Sequence, residues 1–110
     1  MKILQLRKGD NTLSCMANQI TEINYFQDSS FRIQICLEHN ETLTIRLKRK
    51  QDEQDDAKEE RRAKNLYNWL MESWLTDIDK WYFVIISVDD STVLGYDRMS
   101  AIEYLTNNTL

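Results

Sequence analysis

Apolar and polar residues alternate through much of the first 47 positions. In Phe31-Arg32-Ile33-Gln34-Ile35-Cys36-Leu37-Glu38 the apolar Phe31, Ile33, Ile35 and Leu37 fall on one face, and their neighbours are mainly polar. Thr42-Leu43-Thr44-Ile45-Arg46-Leu47 repeats the pattern with Leu43, Ile45 and Leu47. A period of two is the signature of a strand with one face buried. Two strands are therefore predicted, with His39-Asn40-Glu41 as the hairpin turn. Ile20 to Phe26 predicts an earlier strand, ended by a turn at Asp28-Ser29-Ser30. Lys2 to Leu6 and Leu13 to Met16 are shorter strand patterns, joined through Gly9-Asp10-Asn11.

From Gln51 the pattern changes to helix. Residues 51–64 hold no Gly, Pro or β-branched residue. Glu59–Arg62 and Glu60–Lys64 are favourable pairs at helical spacing, each worth about 0.2–0.5 kcal/mol. This stretch is polar all round, which predicts a solvent-exposed first half. Beyond it, Leu66, Trp69, Leu70, Trp74 and Ile78 recur every three or four residues, flanked by Tyr67, Met71 and Leu75. So wide a stripe predicts packing on two neighbours, the sheet and the last helix. The helix is expected over 51–78, ending at Asp77-Ile78-Asp79.

Trp81-Tyr82-Phe83-Val84-Ile85-Ile86-Ser87-Val88 is continuously apolar and β-rich, as in a central strand covered on both faces. Asp89-Asp90-Ser91-Thr92 turns the chain into Val93-Leu94-Gly95-Tyr96, giving a strand hairpin over 80–97. Ser100-Ala101-Ile102-Glu103 matches a capping box, so a short helix is expected over 100–106. The fold class is α+β. One domain, 1–110, carries a mainly antiparallel sheet of about five or six strands, a long inserted helix and a short C-terminal helix.

Charge alters this picture only after Lys64. Residues 1–47 carry five basic and five acidic groups, and residues 48–64 seven and six. Residues 65–110 carry two basic groups, Lys80 and Arg98. Against them stand seven acidic ones: Glu72, Asp77, Asp79, Asp89, Asp90, Asp97 and Glu103. That half repels phosphate backbones and attracts basic surfaces.

Reactive side chains are few. Two glycines are too few for a Gly-rich phosphate loop. The single histidine, His39, falls in a turn, and Cys36 points away from the apolar face of its strand, so no oriented Cys–His pair is marked. Cys15 and Cys36 read as reduced thiols rather than a disulfide framework. Zinc needs more ligands than this chain offers. No catalytic residue, metal ligand or cofactor is assigned. Aspartates are the remaining candidates for chemistry, as a Mg²⁺ site with Lys80 nearby. Asp79 and Asp89, however, bracket a strand of about 30 Å, too long to share an ion. Lys48, Arg49, Lys50, Arg61, Arg62 and Lys64 could touch phosphates, but interleaved carboxylates nearly cancel their field, so direct nucleic-acid binding is not expected. Trp69, Trp74 and Trp81 read as core.

The N-terminus is charged too early for a signal peptide and no apolar run reaches membrane-spanning length, so a cytoplasmic protein without membrane contact is expected. The leading functional expectation is a non-enzymatic binding module. Its acidic, aromatic-rich C-terminal half would dock on a basic protein surface through Asp77, Asp79, Asp89, Asp90 and Asp97. Such a compact acidic domain suits the nucleic-acid channel of a host enzyme, where small phage-type anti-defence inhibitors bind. Two alternatives stand beside it: a Mg²⁺-dependent hydrolase or nuclease using aspartates at strand ends, and a homo-oligomer paired through the apolar face of 66–78.

Overall fold

The computed structural model describes residues 2–76, 82–89 and 92–108. The described residues form seven strands and two helices in an α+β arrangement, in the order β1 (Lys2–Lys8), β2 (Asn11–Met16), β3 (Ile20–Gln27), β4 (Ser30–Leu37), β5 (Thr42–Lys48), α1 (Glu53–Leu75), β6 (Tyr82–Val88), β7 (Val93–Ser100) and α2 (Ala101–Asn108). The strands divide into two sheets rather than one: sheet A in the order β2-β1-β6-β7, and sheet B in the order β3-β4-β5. Every pairing is antiparallel except β1 with β6, which run parallel.

Sheet B follows its sequence pattern closely. Phe31, Ile33 and Ile35 of β4 and Ile45 and Leu47 of β5 are buried, while Arg32, Gln34, Thr44 and Arg46 alternate outward. The register sets Ile33 opposite Ile45 and Phe31 opposite Leu47, so the two apolar rows share one face. The β4–β5 turn passes through His39 and Asn40, both at φ 64°. Asparagine tolerates this left-handed geometry better than most residues, and histidine is also enriched there.

Helix α1 covers that apolar face. Asp52 caps it, its side chain accepting from the amides of Gln54 and Asp55 at 2.9 and 3.1 Å. Glu53, Asp55 and Asp56 crowd the first turn, where the helix dipole favours negative charge. Arg49 grips Asp56 through Nε and Nη2 at 2.7–3.1 Å and lies 4.7 Å from the ring centre of Phe31. The basic cluster before the helix thus serves in part to fasten its N-terminus to sheet B.

The first half of α1 is not wholly solvent-exposed, contrary to the sequence reading. Glu59, Ala63, Leu66, Leu70 and Ser73 form its buried stripe. Ala63 is fully buried because a small residue lets the sheet approach closely. Glu59 is 5% exposed and its Oε1 has no hydrogen-bond partner. Arg62 approaches its other oxygen at 3.9 Å.

The wide stripe of α1 does pack on two neighbours, but they are the two sheets. Leu66 and Leu70 share one core with Leu4, Leu6, Val84 and Ile86 of sheet A and with the inner face of sheet B. Trp69 and Trp74 are half-buried against it; Trp81 lies outside the described residues. Helix α2 lies on the opposite face of sheet A. Tyr104 stacks on Phe83 with ring centres 3.9 Å apart, and Gln5 donates to its hydroxyl at 3.2 Å. Strand β6 is therefore covered on both sides, which its unbroken apolar run predicted. Half of the expected capping box forms: the Glu103 amide donates to Ser100 Oγ at 3.1 Å, while the Glu103 carboxylate accepts from that hydroxyl at 3.2 Å, not from the Ser100 amide.

Candidate functional site

The C-terminal carboxylates are built into sheet A and α2. Asp89 follows β6 and is exposed; its Oδ1 accepts from the Thr92 amide at 2.9 Å, closing the turn into β7. Asp97 sits opposite Ile85 on β7 and is also exposed. Asp89 lies four positions beyond Ile85, so the two aspartates stand about 13 Å apart along the strand direction. The structure does not bring them together. Asp77, Asp79 and Asp90, with Lys80, lie outside the described residues. Among the described residues no three His, Cys, Asp or Glu side chains are placed to hold a metal ion.

Strand alternation decides which way the neighbouring cation points. Arg98 pairs with Val84, whose side chain belongs to the α1 side of the sheet; Asp97 pairs with Ile85, on the α2 side. Arg98 accordingly reaches α1. Its Nε donates to Ser73 Oγ at 2.7 Å, Nη2 to the Trp69 carbonyl at 3.3 Å and Nη1 to Glu72 at 3.5 Å. Its guanidinium lies 5.0 Å from the Trp69 ring centre. One of the two cations of residues 65–110 is thereby turned inward, away from Asp97. On the α2 side Arg7 lies 5.8 Å from the Tyr104 ring centre.

Lys2 completes the same inner cluster. Its ammonium donates to the carbonyls of Ser73, Trp74 and Thr76 at the end of α1, and the Tyr82 hydroxyl donates to the Ser73 carbonyl at 2.8 Å. Two cations at a helix C-terminus complement its dipole. Burial pushes the Tyr82 phenol above its ordinary pKa. This cluster ties β1, β6 and β7 to one helix end.

Apolar side chains are exposed on both sides of this region, Tyr96 on the α1 side of sheet A and those of α2 on the other. Leu94 is 67% exposed, Tyr96 41%, Ile102 78% and Leu105 59%. Most other large apolar residues of the described chain are buried or half-buried. Tyr96 rests one side on Trp69, ring centres 4.6 Å apart. Sequence reasoning found the carboxylates but missed Leu94, Ile102 and Leu105, because apolar residues in a strand and a short helix read as core.

Elsewhere, both cysteine thiols are held above their ordinary pKa, burial being the first cause for each. Cys15 is buried, and burial pushes its thiol pKa up, away from the thiolate form. His39 is exposed in its turn. Both cysteines are free. The face 66–78 offered as a homo-oligomer contact is used inside the chain at Leu66 and Leu70. No described helix is long and apolar enough to cross a membrane. No protein-family model matches the chain, and no curated protein or solved structure matches it either.

Proposed function

We propose that this protein is a binding module whose β7–α2 end docks on a basic protein surface, as a small inhibitor of a nucleic-acid-handling complex would. The observation that carries the reading is the exposure of Ile102 and Leu105 on α2, on the side of sheet A to which Asp97 also points. Large apolar side chains left in water lose about 25 cal/mol for every Å² a partner could cover. Exposed apolar groups rimmed by polar ones mark interaction surfaces. The surrounding carboxylates select the sign of the partner and speed its approach. Arg98 supports the reading by turning away to α1, so it does not neutralise Asp97 across the sheet.

The test is affinity capture with the full chain, run beside the double variants Asp97→Lys/Ile102→Lys and Glu22→Lys/Thr44→Lys. Recovery of a basic, nucleic-acid-handling protein by the wild type and by the sheet B control, but not by the β7–α2 variant, is the expected result. Recovery should fall as salt rises, since the Debye length shrinks to about 3 Å at 1 M. Equal recovery by both variants sinks the proposal.

A further inference from the structure

Among the described residues the two sheets leave four edge strands, β2 and β7 in sheet A and β3 and β5 in sheet B. Edges invite pairing with another chain, and charged side chains are the common guard against it. Strand β3 carries Glu22, β5 carries Arg46 and Lys48, and β7 carries Asp97 and Arg98. Strand β2, Asn-Thr-Leu-Ser-Cys-Met, carries no charge. It opens the longest uncharged run of the sequence, Asn11 to Thr21. Its Leu13 is 54% exposed although it lies opposite buried Leu6, on the core side of sheet A. Leu13 borders an open cleft of about 560 Å³ whose lining includes Leu6, Leu43, Ile45 and Val88 along with Lys8, Arg46 and Asp89.

We infer that β2 is the interface of a two-fold dimer, pairing antiparallel with β2 of a second copy. The choice of occupant follows from charge. About a two-fold axis each strand meets its own copy, so charges near the axis face like charges. Of the four edges, only β2 can pair with itself without a charged side chain in the strand.

The register follows from one hydrogen bond. In an antiparallel ladder, the amides of alternate residues point to the same side. The Met16 amide leaves the ladder with β1 and donates to the Gln19 side chain at 2.9 Å. Thr12 and Ser14, two and four residues earlier, therefore direct their amides to the open edge. With Met16 already satisfied, the pairing that uses these groups sets Thr12 against the partner's Ser14. Leu13 then sits on the axis against the partner's Leu13, in a non-hydrogen-bonded pair. That contact covers an exposed leucine on both copies and joins the sheets into one.

Sedimentation velocity on the full chain, over a concentration series reaching tens of micromolar, should show a species of twice 13.2 kDa. Leu13→Lys and Thr12→Lys should each return it to monomer, with the melting curve that the wild type shows when diluted to monomer. Both positions are exposed, and Thr12→Lys removes no apolar contact. Leu13→Cys should give a disulfide-linked dimer on mild oxidation at several times the wild-type yield. Facing Cα atoms in such a pair are about 4.5 Å apart, within disulfide reach. A wild-type monomer throughout, a dimer that survives both lysines, or cross-linking no greater than in Leu94→Cys overturns the inference. The last outcome, or a dimer lost in Leu94→Lys alone, moves the contact to β7.

Discussion

In sheet B, Phe31, Ile33 and Leu47 are fully buried, and α1 is fastened over them by a capped N-terminus and the Arg49–Asp56 pair. At the β7–α2 end of sheet A, Ile102 and Leu94 are among the most exposed apolar residues described. Both regions are strand and helix, and both carry Leu, Ile and aromatic residues. The difference lies in what covers them. Helix α1 is long enough to lie over sheet B and the inner face of sheet A together. Helix α2 has eight residues and meets its sheet largely through Tyr104. Stability is thus invested in one region and free surface left in the other.

The largest way to break this contrast is Phe31→Ala, expected to cost about 3–5 kcal/mol by urea denaturation, as a large buried side chain is lost. Ile102→Ala should cost no more than about 0.5 kcal/mol in the same assay. Equal losses would erase the distinction. Glu59→Leu should raise stability by about 1–3 kcal/mol, since it removes a buried carboxylate oxygen with no partner. Asp52→Ala should cost about 1 kcal/mol through the lost helix cap.

The smallest expected effect is a pH dependence. The Arg49 guanidinium, with the Lys50 amide, holds the Asp56 carboxyl below its ordinary pKa, and Arg32 does the same for Asp28. A carboxyl with a lowered folded pKa contributes stability above its unfolded value of about 3.9 and loses it as pH falls towards the folded value. Melting temperature should therefore drop below about pH 4, and the drop should be shallower in Asp56→Asn. An identical profile in that variant would remove Asp56 from the account.

The strands of sheet B were legible because alternation writes the buried face directly into the sequence. The β6 run and the Ser100 cap were legible for similar local reasons. The split into two sheets was not, nor the parallel pairing of β1 with β6, because both join segments some 80 positions apart in the chain. Glu59 was missed because a glutamate among charged neighbours reads as solvated, whichever way the helix turns. The candidate surface was half legible. Carboxylates announce themselves by type, but Leu94 and Ile102 are ordinary core residues until the layers above them are known to be thin.

The most direct test is a titration of the captured basic partner, once purified, against wild type and Asp97→Lys/Ile102→Lys. The account predicts at least tenfold weaker binding by the variant, which is about 1.4 kcal/mol, with an unchanged melting temperature. Equal affinity in the two titrations would contradict it.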